Sequence, residues 1–153
     1  MRLLLINGPN LNLLGYREPD IYGNLTYEDL ISKLKTYANG IGVKLDCFQS
    51  NHEGEIIDCL QRSVGKYDAI ILNPGALTHY SYALRDAIQS INTPVLEVHI
   101  SNIYARESFR QTSVTAPVCI GQITGLGIQG YFIAINYFVH FFTGRESFTE
   151  GSN

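Results

Sequence analysis

The apolar positions along this chain change period repeatedly, and each change marks an element. Leu3-Leu-Leu-Ile6 is an unbroken apolar run, the signature of a strand buried on both faces. Leu30, Leu34, Tyr37 and Ile41 then recur at helical spacing. Thr26, with Asp29 three residues on, supplies an N-cap that is a near relative of the capping box, and Gly40 and Gly42 stop the helix. Val43, Leu45 and Cys47 alternate with Lys44 and Asp46, the period of two that predicts a second strand. Ile56, Ile57, Leu60 and Val64 define a second helix ended by Gly65, and Ala69-Ile-Ile-Leu72 is a third strand. Pro74-Gly75 turns the chain, and Thr78 or Ser81 can cap a third helix that carries Leu84, Ala87, Ile88 and Ile91. Pro94-Val-Leu-Glu-Val-His-Ile100 predicts a fourth strand, a short helix follows around 104–110, and Val118-Cys-Ile120 predicts a fifth strand. The last helix is expected from near Leu126 to about Phe142. Ile128, Phe132, Ile135, Val139 and Phe142 form one stripe on it, and Tyr131, Ala134, Phe138 and Phe141 another. A helix apolar nearly all round is buried on more than one side, which in so small a chain points to a subunit interface. The sequence thus predicts one domain over 1–143 and a polar, disordered tail over 144–153.

Strands and helices alternating in this way predict an α/β fold. The favoured topology is a flavodoxin-like, doubly wound, five-stranded parallel sheet in three α/β/α layers, with right-handed crossovers. Such sheets bind ligands at the carboxyl ends of their strands. Here the first strand ends in Asn7 and leads to Asn10, the third ends in Asn73, and the fourth ends in His99 with Ser101 just beyond. Three apolar strands that all finish in groups suited to hydrogen bonding or proton transfer point to a site. The stretch 7–22 after the first strand has no regular period and is longer than most connections, which marks a functional loop. It carries Asn10, Arg17, Glu18 and Tyr22 between Pro9, Gly15, Pro19 and Gly23, and is expected to hold a catalytic base and close over a substrate.

Composition narrows the class. The chain has 153 residues, 45% hydrophobic and 16% charged, enough for a proper core. A net charge of -3 with no Lys/Arg cluster argues against nucleic acid as a partner. Cys47, Cys59 and Cys119 are odd in number and sit in apolar contexts, which suits free thiols in a reducing compartment. The first strand begins at once, so no signal peptide is expected. The apolar segment 131–142 is too short to span a bilayer and contains Asn136 and His140, so no membrane is expected and the location is cytoplasmic.

Candidate chemistry starts with Tyr22, one of ten tyrosines and on position alone an ordinary half-buried loop residue. Arg17 in the same loop changes that, because a guanidinium favours the phenolate. Lowering a tyrosine from about 10 toward 7 requires roughly 4 kcal/mol of differential stabilisation, attainable in a sheltered cationic pocket. His99 alone is a strand-end histidine; Glu97, two residues earlier on the same face of a buried strand, makes a carboxylate–histidine pair the economical arrangement. His79 either caps the third helix or binds substrate. Arg85 and Asp86 read as solvated or interface charges, and Arg106 and Arg110 as a surface pair that also suits a carboxylate ligand. His52 and Glu53 read as a helix start, and His140 as part of a helix. There is no Walker A, no Gly-x-Gly-x-x-Gly after the first strand, no His-Glu-x-x-His and no Cys-x-x-Cys. The Gly125-x-Gly-x-x-Gly130 that opens the final helix lacks a ribose-binding acid and reads as close helix packing. Lys33, Lys35, Lys44 and Lys66 all fall away from the site edge, leaving no Schiff-base lysine.

Taken together, these residues resemble the type II 3-dehydroquinate dehydratases over essentially the whole chain, from Leu3 to about Phe142. The segments that carry the resemblance are Asn7-Gly-Pro-Asn-Leu-Asn-Leu-Leu-Gly15, Arg17-Glu-Pro-Asp-Ile-Tyr-Gly23, Gln49-Ser-Asn-His-Glu-Gly-Glu55, Leu72-Asn-Pro-Gly-Ala-Leu-Thr-His79, Ala83-Leu-Arg-Asp86, Glu97-Val-His-Ile-Ser-Asn102, Ala105-Arg-Glu-Ser-Phe-Arg110 and Gly125-Leu-Gly-Ile-Gln-Gly-Tyr131. Tyr80 and Tyr104 depart from the family's usual small hydroxyl residue and histidine. The resemblance implies anti elimination of water from 3-dehydroquinate, giving 3-dehydroshikimate through an enolate, without metal or cofactor. It implies Tyr22 as base, Arg17 lowering its pKa, Asn10 holding a water at the enolate oxygen, and His99 as acid oriented by Glu97. It further implies substrate contacts from Asn73, His79, Ile100, Ser101 and Arg110, with Asp86 reaching a neighbouring subunit of a dodecamer built from trimers. Biosynthesis of aromatic amino acids by the shikimate pathway and quinate catabolism use the same chemistry. Two other classes remain open on the residues themselves: a flavodoxin-like module that binds a flavin or nucleotide, and a hydrolase pairing Ser101 with His79 or His99, which lacks a nucleophile elbow.

Overall fold

The computed structural model describes residues 1–16, 20 and 24–149, with side chains through 144. Among them run five strands, β1 (Arg2–Asn7), β2 (Lys44–Gln49), β3 (Ala69–Asn73), β4 (Val95–His99) and β5 (Gly121–Thr124). Four α-helices accompany them among the described residues: α1 (Tyr27–Gly40), α2 (Glu53–Ser63), α3 (Tyr82–Gln89) and α4 (Gln129–Thr149). The sheet order is β2-β1-β3-β4-β5 and every neighbouring pair is parallel. This is the doubly wound topology that the alternation of elements predicts. The winding reverses between β1 and β3, so their carboxyl ends flank the crevice where such sheets take ligands.

Side-chain alternation along the strands divides the core. Leu3 and Leu5 face one layer with Leu30, Leu34 and Ala38 of α1 and Tyr131, Ala134, Ile135 and Phe138 of α4. Leu4 and Ile6 face the other, with Ile56 and Leu60 of α2 and Leu84, Ala87 and Ile88 of α3. Each large apolar side chain buried in this way contributes about 1.5–3 kcal/mol. The helix starts have clear causes. Thr26 and Asp29 make a complete capping box, each side chain bonding the other's backbone N–H. Ser81, not Thr78, caps α3 by accepting from Leu84 N at 3.0 Å.

Several boundaries differ from the sequence reading. The fifth strand is Gly121–Thr124, because Pro117 draws residues 116–118 into a 3-10 turn and Val118 and Cys119 pack on the α2/α3 layer instead. The short helix around 104–110 is two 3-10 turns, Ile103–Ala105 and Ser108–Gln111. Part of the irregular stretch after β1 is also a 3-10 turn, Leu11–Leu13. α4 starts three residues after Leu126 and runs to Thr149, so residues 144–149 are helical where a tail was expected; 150–153 lie outside the described residues. Both apolar stripes of α4 pack on the core, leaving Ile133 and Tyr137 exposed, and Asn136 bonds the Tyr37 hydroxyl of α1. Gly130 is where the helix meets the sheet: a Cβ there would lie 3.3 Å from both Val98 and Ile123. Among the described residues no helix is long and apolar enough to cross a membrane.

Candidate active site

Parallel register aligns the strand ends. Asn7 and Asn73 are direct neighbours across β1 and β3, and both are buried. The Tyr131 hydroxyl from α4 joins them: it donates to Asn7 Oδ1 at 2.7 Å and accepts from Asn73 Nδ2 at 2.8 Å. Asn73 Oδ1 accepts from Gly75 N at 3.1 Å, which fixes both ends of its amide. Beyond Asn7 the chain runs against the Pro74 turn so closely that only glycine fits at position 8, where a Cβ would lie 2.5 Å from Pro74 O. Asn10 follows in the left-handed region, φ 70°, the one non-glycine there among the described residues. Its N–H donates to Asn51 Oδ1 at 2.9 Å, and Gln49 Nε2 braces both Asn51 Oδ1 and Gly8 O.

At the end of β4 the expected pair is present. His99 Nε2 lies 2.6 Å from Glu97 Oε1, and neither side chain meets bulk water, at 6% and 0% exposed. A bare carboxylate at this depth is costly, so its partners decide its state. Oε1 also accepts from Thr78 Oγ1 at 2.8 Å, Ser113 Oγ at 2.9 Å and Gln122 Nε2 at 2.9 Å, and Oε2 accepts from Thr115 Oγ1 at 2.6 Å. Gln122 is in reach because β5 pairs it with Glu97 in register. Burial alone raises the Glu97 pKa, but the bonds from His99, Thr115 and Gln122 and the charge of His99 outweigh it and hold the carboxyl at about 2. With Glu97 ionised, Nε2 carries the ring proton on that side. His99 also lines the cavity, and with Nε2 taken by Glu97 the ring nitrogen left for a ligand is Nδ1.

The cavity lies over these strand ends. Of the residues singled out from sequence, Asn10, Asn73, His79, His99, Ile100, Ser101 and Arg110 all line it. His79 Nδ1 meets Thr112 O at 2.8 Å; a carbonyl only accepts, so Nδ1 carries the proton and Nε2 is the acceptor. Burial pushes His79 below the usual histidine value, helped by the positive charges of His99 and Arg110 and opposed by the Thr112 carbonyl and by Glu97. Arg110 Nε is held by Glu107 at 2.7 Å with its guanidinium over the Phe109 ring. Arg106 joins it in the cavity wall and donates to Ser101 Oγ at 3.4 Å, so the arginine pair faces the site rather than solvent. No hydrogen bond joins Ser101 to His79 or His99 among the described residues, which leaves the hydrolase pairing without support. Asp86 on α3 is not in the cavity wall. Arg17 and Tyr22 lie outside the described residues. No three His, Cys, Asp or Glu side chains cluster to hold a metal among the described residues.

The cavity therefore offers a buried acid–base pair, a neutral histidine acceptor, two amides and two guanidiniums, a set suited to a polyhydroxylated carboxylic acid that gains or loses a proton. The family model for class II dehydroquinases matches residues 1–139. The chain belongs to the class II dehydroquinase family. A 3-dehydroquinate dehydratase of Bacillus licheniformis is 59% identical over 138 residues, 90% of this chain and 95% of the relative. One from Halalkalibacterium halodurans is 62% identical over 133 residues, 87% and 92% of the two chains. The crystal structure of the type II dehydroquinase from Butyrivibrio crossotus superposes with a TM-score of 0.88 at 52% identity, covering 90% of this chain and 96% of that one. That of the enzyme from Propionibacterium acnes gives 0.87 at 39% identity, covering 90% and 94%.

Within this dehydroquinase site, the residues that escaped the sequence reading are the ones that touch other protein groups. Thr78, Ser113, Thr115 and Gln122 surround Glu97, Tyr131 ties Asn7 to Asn73, and Asn51 holds Asn10. Asn51, Thr78 and Tyr131 fall in segments that carry the resemblance, Thr78 there suiting a helix cap, whereas Ser113, Thr115 and Gln122 fall in none.

Proposed function

We infer that the chain dehydrates 3-dehydroquinate to 3-dehydroshikimate, in the shikimate route to aromatic amino acids. The observation that carries this is the convergence of Asn10, Asn73, His79, His99, Ser101 and Arg110 on one cavity in a chain of this family, with a buried, ionised Glu97 behind His99. In the reading proposed, the Tyr22 phenolate removes a proton from the carbon next to the ketone, and the electron pair moves onto the ketone oxygen as an enolate. Arg17 lowers the Tyr22 pKa, and Asn10 holds a water against the enolate oxygen. The enolate then collapses, the carbon–oxygen bond to the leaving hydroxyl breaks, and His99 Nδ1–H delivers the proton that lets it depart as water. Glu97 supports the imidazolium needed for that delivery. The acid is regenerated as Tyr22 and His99 return to their starting protonation states.

Substrate hydroxyls and carboxylate are assigned to Asn73, His79, the Ile100–Ser101 backbone and side chain, and Arg110, with Arg106 beside it. His79 Nε2, held as an acceptor, suits a substrate hydroxyl. Asp86 is exposed and outside its own chain's cavity wall, which is consistent with its acting in a neighbour's site, within a dodecamer built from trimers. The exposure of Tyr80, Tyr82 and Phe109 near that wall supports an interface there. The location proposed is cytoplasmic.

The two proton transfers are separable by mutation. Tyr22→Phe should abolish turnover with substrate binding and assembly kept. His99→Ala should still exchange the proton next to the ketone with solvent while dehydration becomes slow. Near-normal turnover of Tyr22→Phe would remove Tyr22 from the base role, and unimpaired dehydration by His99→Ala would remove His99 from the acid role.

A further inference from the structure

Residues 112–115, Thr-Ser-Val-Thr, cross behind the site between the turn that carries His79 and the strand that carries Glu97 and His99. Every residue of the segment is engaged. The Thr112 carbonyl takes the His79 Nδ1 proton at 2.8 Å. Ser113 Oγ and Thr115 Oγ1 donate to the two oxygens of Glu97, at 2.9 and 2.6 Å. Between them Val114 is fixed through both backbone groups: its N–H donates to Thr78 O at 2.7 Å and its carbonyl accepts from Arg85 Nη1 at 2.9 Å. Ser113 Oγ also receives Ala116 N at 2.9 Å, and Thr115 is fully buried.

We propose that residues 112–115 are the positioning strap of the site, fixing the tautomer and aim of both working histidines at once. His79 is set directly through the Thr112 carbonyl, and His99 indirectly through Glu97, whose carboxylate plane is pinned by Ser113 on one oxygen and Thr115 on the other. Thr115 is the decisive contact. Oε1 has four donors, so losing one leaves three, whereas Thr115 is the donor to Oε2 among the described residues. Removing it leaves half of a buried carboxylate without a partner. Thr115 and Ser113 are thus positioning residues for the acid step. This inference deepens the dehydratase reading and rests on His99 as the acid.

Thr115→Val keeps the shape and removes the hydroxyl; Thr115→Ser keeps the hydroxyl. Thr115→Val is expected to lose about ten- to hundredfold in kcat, by analogy with the loss when the outer partner of a metal-bound histidine is removed, with KM for 3-dehydroquinate little changed. Thr115→Ser should restore most of the loss. The acid limb of the kcat/KM profile should move to higher pH in Thr115→Val alone. The other titrating groups that face Glu97 are His99 on its own strand, His79 from the turn before α3 and Cys119 from the 116–118 turn. A folded Thr115→Val with wild-type kcat and an unmoved acid limb would overturn the proposal. A second measurement needs no variant: two-bond nitrogen–proton spectra of histidine-labelled wild type should show neutral His79 protonated on Nδ1 and neutral His99 on Nε2. The reverse tautomer at either residue overturns the strap, even if the wild type turns over 3-dehydroquinate normally. Absence of that turnover, with both tautomers as stated, would instead sink the dehydratase reading and with it the acid-step role, leaving only the strap's hold on the two tautomers.

Discussion

Replacing Glu97 by Gln tests the electrostatic basis of the site through stability as well as activity. In the folded protein the carboxyl is held at about 2, against an ordinary value of 4.5, because donated hydrogen bonds and the His99 charge outweigh burial. A depressed carboxyl contributes stability that is complete above its unfolded pKa and is lost as pH falls through its folded one. The window is therefore pH 4.5 to 2, and 2.5 units correspond to about 3 kcal/mol, of which about 2 kcal/mol is gone by pH 3. Glutamine fits the site with its amide nitrogen toward Thr115, whose hydroxyl can turn to accept, while its oxygen keeps the donors on Oε1. The charge, and with it the support for a His99 imidazolium, is lost. The assay is urea unfolding of both proteins at fixed concentration from pH 7 to pH 3. Asp46, held low by Arg2 and Tyr67 despite its desolvation, and Glu107, held low by its own backbone N–H and Arg110, keep the same surroundings in both proteins and cancel in the difference. The advantage of wild type over Glu97→Gln should shrink by about 2 kcal/mol across that range, and Glu97→Gln should dehydrate substrate slowly at every pH. An advantage that stays constant down to pH 3 would refute a buried, ionised Glu97.

Two further perturbations probe the strand ends. Tyr131→Phe deletes the hydroxyl between Asn7 and Asn73, leaving the buried Asn7 Oδ1 without its donor and Asn73 Nδ2 without its acceptor. The expected cost is about 1–3 kcal/mol in unfolding free energy with a raised KM from a loosened Asn73, and an unchanged midpoint and KM would contradict the bridge. Gly8→Ala brings a Cβ to 2.5 Å from Pro74 O, so the turn must shift and carry Asn10 with it. A loss of about 1–3 kcal/mol is expected, together with lower kcat; thermal melting and steady-state rates check both, and a fully active Gly8→Ala enzyme would show that the close approach does not position Asn10.

The sheet was legible because its strands are apolar runs whose polar ends coincide. Asn7, Asn73 and His99 could be placed at one edge before any contact was known, since parallel register leaves few alternatives. Glu97 beside His99 was legible from a period of two on a buried strand. β5 was misplaced because Val118-Cys-Ile120 looks like a strand while Gly121–Thr124 is short and half polar; local propensity yielded to Pro117 and to pairing with β4. The end of α4 was set short because residues 144–149 lose the apolar period without losing helical backbone. Beyond His99, nothing in the sequence marked the other partners of Glu97 as such. Thr78, Ser113, Thr115 and Gln122 come from three separate segments, and a lone Ser or Thr in a loop most often caps or turns the chain. Only tertiary packing shows that these three hydroxyls and one amide turn inward to a carboxylate.

The elimination is expected to proceed without a lysine imine. The direct measurement is to add 3-dehydroquinate to the protein and follow the ultraviolet absorbance of the conjugated enone, with and without borohydride pretreatment in the presence of substrate. Rising absorbance that borohydride does not stop is the result expected. Folded protein that produces no absorbance change, or whose activity borohydride abolishes, would contradict it.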